Sequence, residues 1–183
     1  VSTDQRSSEL DVEEAVQQQL HYARAQGDAY GAAVEHLVAG RGSEQRAGDY
    51  WIGYAVERAR GMYEWVGDRL VWREPARADL HVEITVRDAG DGRFIPGAGV
   101  VVTVTDPNGR ELGTHAHPLV WHPLLYQYGR DWRFAFDGRY RLLVRVEPPR
   151  FMRHDQVNGN RLSEAAEVEF AGVEISRAPG RRG

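Results

Sequence analysis

The chain has 183 residues, 42% of them hydrophobic and 27% charged, which is room for one well-packed domain and fits neither a disordered chain nor a collagen-like fibre. It carries no cysteine, so disulfides, zinc fingers, iron–sulfur clusters, thiolate catalysis and thiolate copper sites are excluded together. The formal charge is −4, from 27 acids against 23 bases that are all arginine, and no basic patch forms to track a phosphate backbone, which argues against nucleic acid as a partner.

Residues 1–10 are polar and read as a loose lead-in without the basic and apolar regions of an export signal, so any such signal has been removed or never existed. From Asp11 the text becomes helical. Val12, Ala15, Val16, Leu20 and Ala23 recur at helical spacing behind Asp11 as N-cap, with Glu13 and Glu14 in the first turn. Gly27-Asp28 interrupts the pattern, and a second stripe of Tyr30, Ala33, Val34 and Leu37 ends at Gly40, which predicts a helical hairpin or one kinked helix over 11–39. The stripe has to bury against a sheet face, an edge strand or a second chain, and a sheet face of the same chain is the simplest partner. The glycine-rich, charged stretch 40–48 reads as a linker.

Beyond Gly48 the period changes to two. Tyr50, Ile52, Tyr54 and Val56 alternate with their neighbours, and further strands are expected at 62–72, 79–87, 99–106, 110–120, 131–136, 139–147 and 164–175. Turn signals at Asp91-Gly92, Pro107-Asn108-Gly109 and Asp137-Gly138 separate them. Strands without intervening helices predict a mainly β fold, an Ig-like antiparallel β-sandwich with an N-terminal helical extension. The expected organisation is extension and linker over 1–47, sandwich over 48–176 and a disordered tail over 177–183. The tryptophans Trp51, Trp65, Trp72, Trp121 and Trp132 are expected in the sandwich core and rim. The longest uncharged stretch, Gly113 to Gly129, holds three histidines and two prolines and cannot serve as a membrane span.

Phosphate-cradling, dinucleotide, nucleophile-elbow and HExxH motifs are all absent from the sequence. Histidine is the residue type that stands out: His81, His115, His117, His122 and His154 all lie in the strand-rich part. Alternation along Leu80–Val86 turns His81 and Glu83 to one face, two residues and about 6.5–7 Å apart, so imidazole and carboxylate can converge on one ion. His115 and His117 repeat this spacing in THAHPLVWHP. Nitrogen and oxygen donors suit divalent iron, copper, zinc or manganese. The plainer alternative is a set of surface polar residues on an Ig-like interaction module.

From about residue 49 to 175 the chain resembles the bacterial periplasmic iron-uptake proteins that bind copper and iron and accompany FTR-type iron permeases. The resemblance rests on ordered blocks: Gly61-Met62, ADLHVEITV at 78–86, FIP at 94–96, GTHAHPLV at 113–120, YQYG at 126–129, GRYRLLVRVEPP at 138–149, and RHD at 153–155 before a final EVEF strand. It implies a dimeric Ig-like sandwich without enzymatic activity, located in the periplasm or otherwise outside the cytoplasm, that assists ferrous-iron uptake beside a permease. His81 and Glu83 match the family's strand motif and His154 its late loop. The family's methionine segment reads His117-Pro118-Leu119 here, with His117 in place of the thioether, and the histidine of its HYG-like turn is Gln127, with His122 reaching in from the neighbouring loop. The implied metal set is therefore His81, Glu83, His117, His122 and His154. A metal-dependent oxidase using the same histidines is a further alternative.

Overall fold

A computed structural model describes residues 3–75 and 79–177, with side chains from residue 14 onward. The helix α1 runs Thr3–Val38 and the strands are β1 Gly42–Ala47, β2 Tyr50–Arg58, β3 Met62–Val66, β4 Arg69–Arg73, β5 Leu80–Asp88, β6 Gly99–Thr105, β7 Glu111–His117, β8 Leu119–Trp121, β9 Tyr126–Trp132, β10 Gly138–Glu147 and β11 Ala166–Ile175. One sheet has the order β1-β2-β5-β9-β8, a second β11-β10-β6-β7, and β3-β4 form a separate hairpin. All pairings are antiparallel.

The alternation read from the sequence builds the core. Ile52 on β2 and Val82, Ile84 and Val86 on β5 face Val100, Val102 and Val104 on β6 and Leu142, Val144 and Val146 on β10, all buried. Tyr128 fixes the seam by polar means, because its hydroxyl accepts from Ala98 N–H at 2.9 Å and donates to Ile95 O at 2.8 Å. The turns follow their chemistry. Asp106 Oδ1 accepts from the N–H groups of Asn108 and Arg110 at 2.8 and 2.9 Å, and Gly109 takes φ 83°.

Several expectations are corrected. Of the two expected forms, a hairpin and one kinked helix, the single helix is found, and it begins at Thr3 rather than Asp11. Gly27 does not break it; the helix crosses the Asp91-Gly92 turn so closely that a Cβ at position 27 would overlap Asp91 O. Gly40, at φ 72°, ends it in the left-handed cap that only glycine adopts without cost. The supposed linker 40–48 supplies β1, whose polar GSEQRA text hides an edge strand paired residue for residue with β2. The stretch 62–72 is a hairpin, β3 and β4, turned at Gly67 with φ 63°. Of the five tryptophans only Trp132 is in the core, while Trp65 is 70% exposed. Of the tail, Arg177 donates its backbone N–H to Asp137 Oδ1 at 3.0 Å, and residues 178–183 lie outside those described.

Packing of α1 begins at Gly27 and involves the last third of the helix. Val34 and Leu37 form a second apolar cluster with Ala55 of β2 and Leu125, flanked by Tyr30, Ala33 and Val38. Ala55 points away from the main core, so α1 covers the outer face of the five-stranded sheet. Tyr30 anchors it by donating its hydroxyl to Tyr126 O at 2.7 Å. That cover makes β5 buried on both faces.

Candidate metal centre

The outer face of β5 presents His81, Glu83 and Thr85, alternating with the core residues Leu80, Val82, Ile84 and Val86. β9 runs beside it in a register that sets His81 opposite Asp131 and Glu83 opposite Gly129. On the other side β2 sets Glu57 opposite His81 and Ala55 opposite Glu83. A polar strip thus crosses the middle of a sheet, bounded by the apolar cluster of α1.

His81 is held by two features. Its Nδ1 donates to Asp131 Oδ1 at 2.7 Å, which leaves the neutral ring's lone pair on Nε2. Nε2 lies over Gly129, where a Cβ would overlap it. Glu83, 4% exposed, accepts from Gln127 Nε2 through Oε1 at 2.5 Å, while its Oε2 is buried with no hydrogen-bond partner. Gln127 Oε1 and Thr85 Oγ1 are likewise buried without partners. Burial raises the Glu83 carboxyl above its ordinary pKa; the Gln127 hydrogen bond opposes this, the charge of Glu57 adds to it, and His81 and His122 lower it.

The other histidines are placed differently. His117 is 2% exposed and both its nitrogens are engaged: Nε2 accepts from Trp132 Nε1 at 3.3 Å and Nδ1 donates to His115 O at 3.3 Å. Burial, the largest cause, lowers its pKa to about 4, with the charges of His81, Arg130 and His115 acting in the same direction and the His115 backbone hydrogen bond against them. His122 is exposed, and its Nδ1 accepts Leu124 N–H at 3.1 Å, so the neutral ring carries its proton on Nε2. His154 stands exposed in the segment 148–165 between β10 and β11 and makes no hydrogen bond to the others. The structure therefore brings His81 and Glu83 to one face and sets His117 within electrostatic reach of His81 and His122 within reach of Glu83. Among the described residues no three His, Asp or Glu side chains gather as a ready-made cation site.

A sequence reading centred on histidines passes over Asp131 and Gly129. The signal was available in Gln127-Tyr128-Gly129-Arg130-Asp131, whose period of two puts positions 127, 129 and 131 on one face. Which strand lies beside that face is a matter of tertiary pairing.

Fold and face together define a two-sheet antiparallel β-sandwich with a buried imidazole–carboxylate strip on one outer face. Among solved structures, the chain is similar to FetP of uropathogenic Escherichia coli strain F11, with 18% identity over 74% of this chain and 96% of FetP and a TM-score of 0.59. A copper-bound variant of FetP matches at 16% identity over 78% of this chain and 94% of that one, with a TM-score of 0.62. Copper-reconstituted P19 of Campylobacter jejuni matches at 16% identity over 74% and 96%, with a TM-score of 0.61. At this level of identity the likeness establishes the shared sandwich fold. No protein-family model and no curated protein sequence matches the chain.

Proposed function

We propose that this protein binds a divalent metal ion outside the cytoplasm and hands it to a membrane permease in ferrous-iron uptake, as a homodimer and without catalytic turnover. The observation that carries the reading is the pairing of Glu83 Oε2, a buried oxygen lacking any partner, with His81, whose Nε2 lone pair is free. A buried carboxylate oxygen left unsatisfied is costly, and a cation is a partner that would satisfy it. The residues fit such an ion: His81 Nε2 and Glu83 Oε2 would supply two donors from one rigid strand, His122 could add an imidazole only by giving up the Leu124 N–H bond to its Nδ1, and His154 could join only by movement of the exposed segment 148–165. His117 can join only by giving up its Trp132 bond. The copper bound by FetP and P19 supports the assignment to a sandwich of this kind. Nitrogen and oxygen donors without a thiolate or thioether favour copper(II) over iron(II) by intrinsic affinity, so the ion carried in the cell is set by supply.

Calorimetric titration of metal-free protein with copper(II), zinc(II), manganese(II) and, anaerobically, iron(II) tests this. Copper(II) should bind most tightly, and His81→Ala with Glu83→Gln should weaken binding at least tenfold. Unchanged affinity in that double variant would remove the site.

A specific observation favours a second reading, an interaction module. The β3–β4 hairpin carries Tyr63, Trp65, Leu70 and Trp72 on one face, all exposed. A free two-stranded hairpin is marginal in water, and its aromatic face suits a protein partner. Protein purified without added metal that carries none by mass spectrometry, and that loses a partner when this face is removed, would support an interaction module without bound metal.

A further inference from the structure

His81 can offer a metal either of two nitrogens, and the choice decides where the ion sits. We infer that Asp131 and Gly129 are positioning residues which make Nε2 the donor and aim it at the space above Gly129, opposite Glu83; the inference rests on the metal-binding reading. Neither residue touches the ion in this arrangement.

Asp131 acts through the proton. It lies directly across from His81 in the β5–β9 register, and its Oδ1 is 2.7 Å from Nδ1. A carboxylate only accepts, so the ring's hydrogen is fixed on Nδ1 and the lone pair on Nε2. Both side chains are largely shielded from water, which strengthens the bond.

Gly129 acts through space. The ring leans along the diagonal from Asp131 toward Gly129, and any side chain at 129 would occupy the position of Nε2. Because Gly129 is the cross-strand partner of Glu83, the ring edge that fills the place of its missing Cβ stands across from the residue with the unpartnered carboxylate Oε2. The φ of Gly129 does not require glycine, since it is not among the residues with positive φ. Its lack of a side chain is explained by the ring above it.

Histidine-selective nitrogen NMR on the metal-free full chain reads the tautomer independently of any metal. At about pH 8.5, two units above the ordinary imidazole pKa, His81 should show a protonated Nδ1 and a bare Nε2. Asp131→Leu, which removes the acceptor at similar size, should shift the ring toward the Nε2–H form and weaken copper(II) binding about 10–100-fold. Asp131→Asn retains an acceptor oxygen and should restore the tautomer and most of the affinity. Gly129→Ala should displace the ring and lower affinity with Asp131 still present. A wild-type His81 protonated on Nε2 overturns the inference, and so does an Asp131→Leu variant with unchanged tautomer and affinity. Wild-type protein that shows the Nδ1–H form yet binds no copper(II) defeats the metal reading alone, and supports the orientation of the ring by Asp131.

Discussion

Two glycines one turn apart on α1 should respond to alanine with opposite signs. In a helix interior, Gly→Ala ordinarily stabilises by up to about 1 kcal/mol, because alanine loses less backbone freedom on folding. Gly31 should follow that rule, since a Cβ there meets only Arg87 Nη1 at 3.3 Å, the tip of a side chain that can yield by a few tenths of an ångström. Gly27 should not. A Cβ there would overlap Asp91 O and stand 2.7 Å from the Asp91 carbonyl carbon, and that turn is backbone held by Gly92 N–H to Asp88 O at 2.8 Å. Forcing a methyl into a filled contact costs about 1–3 kcal/mol, and the upper part of that range applies because neither wall is a flexible side chain. Subtracting the propensity gain leaves Gly27→Ala destabilised by about 1–2 kcal/mol, or roughly 2–8 °C in Tm for a chain of this size. Gly31→Ala should gain roughly 2–4 °C. Urea and thermal unfolding followed by tryptophan fluorescence would measure both. Equal signs for the two variants would refute the seating of α1 on the Asp91-Gly92 turn.

His117 gives a pH prediction. Its pKa in the folded state, about 4, lies below the ordinary value of 6.5, so the unfolded chain takes up its proton first as pH falls. The stability it contributes is complete above about pH 6.5 and lost as pH drops through about 4, on the order of 3 kcal/mol in total. Unfolding free energies of wild type and His117→Asn between pH 7.5 and 4 should therefore converge, and parallel curves would contradict it. Glu83 has the opposite sign: its folded pKa is raised, so its contribution is present below the usual carboxylate range and lost as pH rises through the folded value. Glu83→Gln should accordingly be more stable than wild type at pH 8, by about 1 kcal/mol if the new amide N–H satisfies Gln127 Oε1, even as it loses metal; equal or lower stability in urea at that pH would count against the orphaned pair. Leu37→Ala truncates one of the four buried residues of the cluster between α1 and the sheet and should cost about 2 kcal/mol, seen as faster proteolysis of the helix with the sandwich intact; unaltered cleavage would show that the cluster does not hold α1.

The legible parts of the fold were those where apolar residues alternate with polar or half-buried ones. Leu80, Val82, Ile84 and Val86 alternate with polar residues, and Val100, Val102 and Val104 do so against half-buried neighbours, so the period of two emerged from the text. β1 was illegible for the converse reason. Ser43, Glu44, Gln45 and Arg46 bury no apolar row, and the strand exists because its backbone groups pair with β2 and Arg87 clamps Glu44 at 2.7 and 2.5 Å. Gly27 misled because a glycine that permits close approach and one that breaks a helix look the same in sequence.

The candidate site divides along the same line. Residue identity and strand period alone determined that His81 and Glu83 share a face and that no thiolate competes for an ion. Tertiary structure decided that Asp131 holds one nitrogen of His81, that Gly129 leaves room for the other, that His117 is tied to Trp132, and that α1 turns an outer face into a dry one. Side-chain direction along one strand is a local property of the backbone, whereas donor partners, solvent exclusion and cavity shape depend on which distant strand or helix is laid alongside, and that is fixed only when the whole chain packs.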